Sequence, residues 1–327
     1  MKIGIYTICV LFFSGIALAN EKLHVKVVDD EGNPVSNAVV CVGFTESHLL
    51  FGGGLRGNSV SHHYKATTDT NGNAVVKFNC TSSDFEWHVD ADGYYGSGAH
   101  AGHFDGEDVL VPPCFVKVVL HEHEKHVGVT LWKKRNPQPM IAHYPIERRK
   151  VPTAIGRYGF DLAEYDWLEP HGKGKNADFY LVRNQDEIPP AGEYEFGHIE
   201  FERDCGFYIA NKTGCSTFQT TYKVDGNMSL QTNITLKCIR HIDGKDWIEP
   251  LPIMENDKYM VVRSRVKHDD NGRIVSANYS RILGRFTVVP SVSSEETVFN
   301  PRPNDTNLEF DLERNLYQGK RGRGKVQ

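Results

Sequence analysis

The residue types best suited to binding chemistry are concentrated in one short stretch of the chain. Those that offer charge, hydrogen bonds or a ring to a ligand are Glu164, Asp166, Trp167, Glu169, His171, Lys173 and Lys175. Carboxylates beside an aromatic ring can bind a sugar, and two carboxylates at a suitable separation are what a glycosidase requires. The lysines, set among glycines, suit an acidic sugar or a phosphate group. We expect a ligand-binding loop here, and the alternative is a solvated turn.

No catalytic signature accompanies these residues. The chain lacks the Gly-x-Ser-x-Gly elbow of a serine hydrolase. Residues 171–176 lack the spacing of a Walker loop and precede a strand-like run at 177–181, so nucleotide binding is not expected. The sequence therefore predicts no catalytic residue and no cofactor, and it favours a binding protein over an enzyme.

Two histidines form the main candidate metal site. His121 and His123 follow a β-branched run, and alternate residues of an extended chain share one face. Imidazoles placed in this way can ligate a metal weakly, although they lack the i, i+4 spacing of a helical zinc pair. The alternative is a polar strand end exposed to solvent.

The first residues predict export. Lys2 is followed by an apolar run over 3–16 and then by Ala17-Leu18-Ala19, which is typical of a cleaved secretory signal over 1–19. The apolar run is shorter than the ~20 residues of a membrane helix, and no later segment is apolar enough to span a bilayer. We expect a protein that is secreted, periplasmic or on the cell surface. A retained N-terminal anchor is the alternative.

Cysteine usage agrees with export. Seven cysteines are present, and six remain after the predicted cleavage because Cys9 lies in the signal. An even number in an oxidising compartment predicts disulfides. Cys205 and Cys215 flank a short turn and form the easiest local pair. Cys41 and Cys80 form the second predicted pair, because both end apolar alternating segments.

The charge of the chain argues against nucleic acid as a partner. The formal net charge is −5, and loss of Lys2 with the signal makes it −6. The exception is a basic, glycine-spaced segment at 318–327, which is expected to be a flexible tail.

Apolar residues at every second position predict short strands in both halves of the chain. Leu23, Val25 and Val27 alternate with polar residues, as in a half-buried strand. Turn sequences separate such segments, and 269–273 is the strongest hairpin signal because it combines Asp, Asn and Gly. The predicted fold class is all-β.

The N-terminal half also resembles a known family. Residues 27–40, 68–74 and 91–94 read VVDDEGNPVSNAVV, TDTNGNA and ADGY, and they are similar to the carboxypeptidase regulatory-like family, whose members resemble transthyretin. The resemblance implies a prealbumin-like, Greek-key sandwich over 20–120. It also implies an accessory role, because this family is not the catalytic domain of the carboxypeptidases.

A basic, proline-containing stretch predicts a connector over 121–150, followed by a second and larger β-sandwich over 151–317. Strings at 159–162, 170–179 and 299–311 resemble those of uncharacterised secreted proteins from planctomycete-type bacteria, and this likeness implies no activity.

Together these features predict an exported, non-enzymatic binding or adhesion protein, with extracellular carbohydrate as the expected ligand class. Two alternatives stay open. One is a hydrolase of extracellular polymers with its site in the second domain. The other is a structural component of the cell envelope that contacts other envelope proteins.

Overall fold

The structure is a computed structural model that describes most of the chain after the predicted signal. The described residues are 20–48, 58–79, 85–101, 110–111, 114–120, 124–144, 148–183, 191–212, 220–223, 229–242 and 247–317. They contain no helix and 59% strand, which confirms the predicted all-β sandwich class. The predicted signal at 1–19, the pair His121 and His123, and the basic tail at 318–327 lie outside the described residues.

The chain divides into two compact units, one ending at Lys133 and the other beginning at Lys134. This boundary lies inside the stretch 121–150 that was expected to be a connector. Within this stretch, Glu124–Lys133 is a strand of the first unit, and Ile141–His143 and Arg149–Lys150 are short strands of the second unit. Within the described residues, no helix is long and apolar enough to cross a membrane.

The described residues of the first unit include ten strands. They are β1 (Asn20–Asp29), β2 (Val39–His48), β3 (Asn58–Thr67), β4 (Asn73–Asn79), β5 (Phe85–Asp90), β6 (Tyr94–Tyr95), β7 (Ser97–Ala101), β8 (Leu110–Val111), β9 (Cys114–Leu120) and β10 (Glu124–Lys133). One sheet has the order β4-β1-β10-β9-β8, with β6 also paired to β10, and the other has the order β3-β2-β5-β7.

Apolar residues at every second position of the strands form the core of the first unit between these two sheets. Leu23 and Val25 of β1 are buried, as are Val127 and Val129 of the parallel neighbour β10. Trp87 of the second sheet belongs to the same hydrophobic cluster. Because successive side chains of a strand point to opposite faces, a period-two apolar pattern buries one face and leaves the other to solvent.

Thirteen strands are found in the part of the second unit that the structure describes. They are β11 (Ile141–His143), β12 (Arg149–Lys150), β13 (Gly156–Asp161), β14 (Asp166–Trp167), β15 (Phe179–Arg183), β16 (Gly192–Glu200), β17 (Gly206–Asn211), β18 (Asn233–His241), β19 (Trp247–Pro250), β20 (Lys258–His268), β21 (Ile274–Leu283), β22 (Ser291–Val292) and β23 (Glu296–Asn300). A six-stranded sheet has the order β14-β13-β15-β16-β18-β19, and a five-stranded sheet has the order β11-β23-β21-β20-β17. β12 and β22 form a separate pair.

Aromatic rings fill the space between the two large sheets of the second unit. Phe160 and Phe179 stack with ring centroids 5.2 Å apart, and Phe179 meets Phe286 at 6.5 Å. Phe207 and Phe299 belong to the same cluster. Burial of such rings is the main stabilising contribution available to a sandwich of this size.

The predicted hairpin at 269–273 is present between β20 and β21. The Asp269 carboxylate accepts hydrogen bonds from the amides of Asn271 (2.9 Å) and Arg273 (2.8 Å). Gly272 has φ +75°, a left-handed conformation that glycine adopts without steric cost. The same Asp-x-x-Gly-x arrangement recurs in the turns that begin at Asp29 and Asp69.

No disulfide is formed among the described cysteines. Cys41, Cys205 and Cys238 are free thiols in the structure. The predicted partner of Cys41 is Cys80, and that of Cys205 is Cys215. Both of these partners lie outside the described residues. The two disulfides therefore stay predictions.

Candidate functional site

The predicted ligand-binding residues lie on one loop of the second unit, which we call the 161–178 loop. It joins β13 to β15 and contains the short strand β14, which folds back on β13 so that Trp167 pairs with Phe160. The Trp167 and Phe160 rings meet edge to face at 5.0 Å. The loop thus begins and ends on the aromatic core, and its polar residues project from there.

A single carboxylate holds the two ends of the loop together. One oxygen of Asp161 accepts hydrogen bonds from the amides of Ala163 (2.9 Å) and Glu164 (3.1 Å). The other accepts from the amides of Lys175 (2.9 Å) and Asn176 (3.0 Å). Four backbone amides donate to one buried carboxylate. If the loop opened, these amides would lose their acceptor, and this loss opposes opening.

A second carboxylate and an arginine complete this arrangement. Asp178 is buried and accepts from the Leu162 amide at 2.7 Å and from the Ser264 hydroxyl at 2.6 Å. Arg265 donates to Asp178 through Nε at 2.9 Å and Nη2 at 2.8 Å. The same Nη2 donates to Asp161 at 2.7 Å. One guanidinium therefore bridges both carboxylates, and we call these three residues the Asp161–Arg265–Asp178 bridge.

Arg265 reaches the loop because β20 is irregular at that point. The register with β21 shifts between Ser264 and Lys267, and Arg265 itself has φ +53°. Its guanidinium also lies over the Phe299 ring, 4.3 Å from the centroid. A left-handed conformation costs a residue with a side chain about 1–2 kcal/mol. Such strain persists where the surroundings enforce it, and it is concentrated at functional sites.

The two carboxyl groups of the bridge respond differently to burial. Burial raises the pKa of Asp161, but amide donors and the charge of Arg265 outweigh it and leave the pKa of Asp161 lowered. Burial also raises the pKa of Asp178, where it outweighs the opposing effects of Arg265, Ser264 and the Leu162 amide.

Asp166 has a structural role within the loop. Its carboxylate accepts from the amides of Trp167 (3.0 Å) and Lys173 (3.3 Å), and Arg149 Nε lies 3.6 Å away. A Cβ at Gly172 would lie 2.4 Å from the Trp167 carbonyl oxygen and 2.5 Å from the Asp166 carboxylate. Only glycine fits this close approach.

Glu164 forms an ion pair at the surface, whereas Trp167 is buried. Lys175 Nζ donates to Glu164 at 2.7 Å. Trp167 is only 2% exposed, and its Nε1 donates to the Lys150 carbonyl at 2.7 Å. The indole is thus a core residue and presents no ring face to a ligand.

The remaining predicted residues form the outer surface of the loop. Glu169, His171 and Lys173 are exposed to solvent. The imidazole of His171 is supported by the ring of Tyr158, with centroids 4.9 Å apart and planes at 85°. The loop therefore presents a carboxylate, an imidazole and an ammonium group to solvent.

Sequence reasoning missed the residues that hold this surface. Asp161 and Asp178 each lie between apolar residues in the sequence, which is an unusual position for a carboxylate. This pattern could have identified them as buried carboxylates. Arg265 lies 87 residues from Asp178, and nothing near it in the sequence connects it to the loop. Within the described part of the chain, no group of three or more His, Cys, Asp or Glu side chains is placed to hold a metal ion.

Two comparisons with known proteins found no match for the chain. No protein-family model matches it, and no curated protein matches it significantly. The resemblance of residues 21–120 to the carboxypeptidase regulatory-like family therefore stays a prediction.

Proposed function

We propose that this protein is an exported, non-enzymatic binding protein that attaches to acidic polysaccharide through the 161–178 loop. The supporting observation is that the Asp161–Arg265–Asp178 bridge holds the loop in one conformation while His171 and Lys173 point to solvent. A loop that is ordered before binding loses little conformational entropy when the ligand arrives, which raises affinity.

The charges on the loop favour an anionic ligand. Lys175 is neutralised by Glu164, and Arg149 lies beside Asp166. Glu169, His171 and Lys173 are exposed, and Lys173 supplies the ammonium group that we expect to meet an anionic ligand. A uronic acid or sulfate group of a polysaccharide would be attracted to the ammonium group of Lys173.

Binding is favoured over hydrolysis because two of the three carboxylates predicted for the site, Glu164 and Asp166, already have partners within the protein. A glycosidase needs one carboxyl group as acid and another as base or nucleophile, both facing the scissile bond. Glu164 is paired with Lys175, and Asp166 accepts hydrogen bonds from the backbone of its own loop. These contacts support a scaffolding role for both carboxylates.

The first unit is proposed to be an accessory module of the carboxypeptidase regulatory-like type. Its strand orders β4-β1-β10-β9 and β3-β2-β5-β7, with β1 parallel to β10, describe a sandwich of two sheets and support that proposal. Export rests on the signal-like residues 1–19.

Calorimetric titration with hexagalacturonate and a heparin hexasaccharide tests the proposed function. Lys173→Ala should weaken binding about fivefold, which corresponds to loss of about 1 kcal/mol for one exposed charge contact. Lys237→Ala is the matched control, because Lys237 is an exposed lysine on β18 of the same unit. Affinity should also fall as salt rises.

Two results would overturn the proposal. One is the absence of binding to either acidic hexasaccharide by the wild-type protein. The other is equal affinity for Lys173→Ala and the wild type, which would remove the loop from the binding surface and favour the envelope-component alternative.

A further inference from the structure

The six-stranded sheet of the second unit carries an exposed aromatic pair at its other edge. β19 is the last strand of that sheet, and Trp247 at its start pairs in register with His241 of β18. Trp247 is 49% exposed, in contrast to the buried Trp167. An exposed indole on an edge strand calls for an explanation, because a large apolar side chain gains nothing from solvent contact.

The geometry of the pair is well defined. The rings of Trp247 and His241 stack with centroids 4.1 Å apart and planes at 12°. His241 Nε2 lies 2.9 Å from a carboxylate oxygen of Glu249, so the imidazole is held in the plane parallel to the indole. Since His241 covers one face of the indole while half of the residue stays exposed, the opposite face is turned to solvent.

From this arrangement we infer a second carbohydrate site, an aromatic platform for one pyranose unit of an uncharged glycan. It rests on the proposed function for the ligand class but uses none of the 161–178 loop. The indole face suits the C–H face of a sugar ring, and the polar edge formed by His241 and Glu249 suits its hydroxyl groups.

The charges around the platform distinguish its ligand from that of the loop. Glu249 is opposite Ile239 in register, and Ile239 is opposite Glu193, so these carboxylates lie on the same face as Trp247. Glu195, two residues from Glu193 on β16, lies on that face as well. Lys237 Nζ donates a hydrogen bond to Glu193 and compensates the charge of that carboxylate only. A polyanion would be repelled here, whereas an uncharged sugar offers hydroxyl donors to Glu249.

The platform and the loop are too far apart to share one sugar. The 161–178 loop leads into β15, where Tyr180 is in register with Glu200 and through it with Asn233 at the start of β18. Trp247 is paired at the far end of β18, eight residues from Asn233, or about 27 Å at 3.4 Å per residue. Each site therefore binds independently.

Titration with uncharged hexasaccharides tests the platform. The probes are cellohexaose, mannohexaose, xylohexaose and chitohexaose, with tryptophan fluorescence and calorimetry as readouts. We expect the wild-type protein to bind at least one of them and Trp247→Ala to weaken that binding about tenfold. Trp247→Phe should retain most of the affinity, because a ring face remains.

Two controls separate the platform from general damage. Tyr144→Ala removes another exposed ring of the second unit, 45% exposed, and should leave sugar binding unchanged. Trp247→Ala should also bind hexagalacturonate as the wild type does, because the loop is intact. Thermal unfolding should show that each variant is folded and only slightly less stable than the wild type, since about half of each side chain is exposed.

The inference is overturned if no uncharged hexasaccharide binds the wild-type protein, or if Trp247→Ala binds as tightly as the wild type. The proposed function fails by a different result. Either the wild-type protein does not bind acidic hexasaccharides, or Lys173→Ala binds them as tightly as the wild type. The two proposals can thus fail separately.

Discussion

Replacing Arg265 with methionine tests the physical basis of the candidate site most directly. Methionine keeps an unbranched side chain in the bulge of β20 but removes the guanidinium from between Asp161 and Asp178. The lost hydrogen bonds are two to Asp178, at 2.9 and 2.8 Å, and one to Asp161 at 2.7 Å. Both carboxylates are buried, so they would be left without their counter-charge.

The expected loss of stability is large. Breaking a buried ion pair by removing one partner costs about 3–5 kcal/mol, because the remaining charge stays desolvated. The left-handed backbone strain at residue 265 is unchanged, since methionine meets the same steric limits. Ser264→Ala is the graded control. It removes one hydrogen bond to Asp178 and should cost about 1.5–3 kcal/mol.

The pH dependence gives a second, independent readout. The folded-state pKa of Asp178 is raised, so the folded protein takes up a proton more readily than the unfolded chain. Stability from this group therefore increases as the pH falls through the folded pKa. Without Arg265 that pKa rises further, so the stability gap between Arg265→Met and the wild type should narrow between pH 7 and pH 5. The lowered pKa of Asp161 acts in the opposite direction, but its contribution is lost only below about pH 4.

Urea unfolding at pH 7 and pH 5, followed by circular dichroism, measures both quantities. Lys173→Ala serves as a neutral reference, because that side chain is exposed. A loss below about 1 kcal/mol at pH 7, or a gap that widens at pH 5, would refute the reasoning. Hexagalacturonate binding by Arg265→Met should weaken as well, because the loop is no longer held before the ligand arrives.

Two further predictions follow from the backbone and the thiols. Gly272→Ala should lower the free energy of unfolding in urea by about 1–2 kcal/mol, because φ +75° places the new Cβ in the left-handed region. Asp270→Ala in the same turn is the control. Equal free energies of unfolding for the two variants would contradict this account of Gly272. Burial raises the pKa of the Cys238 thiol to about 11, so iodoacetamide at pH 8 should label it only after unfolding. Mass spectrometry of native and denatured samples checks this, and rapid labelling of the native protein would contradict it.

The strands and turns were predictable because their causes are local. Leu23, Val25 and Val27 were expected to face inward together, and all three are buried. The turn at 269–273 needs only an aspartate to accept amide hydrogens and a glycine for the left-handed residue. Such signals act over fewer than six residues, so sequence pattern alone reveals them.

Membership of a sheet is a different kind of property. β10 lies within the stretch 121–150, which the sequence predicted to be a connector. It lies in the first sheet because its residues pair with the parallel strand β1, about one hundred positions earlier in the chain. Trp167 shows the same limit, because only the tertiary structure shows that its ring packs against Phe160 instead of facing a ligand.

The sequence by itself determined the all-β class and the stretch of charged residues from Glu164 to Lys175. Only the tertiary structure decided which of those residues face solvent, because burial and ion pairing depend on what the fold places beside them. The deciding contact is the guanidinium of Arg265 between Asp161 and Asp178, which are 104 and 87 residues away in the sequence. Contacts across such distances leave no local pattern, since they arise only when β20 is packed against the loop.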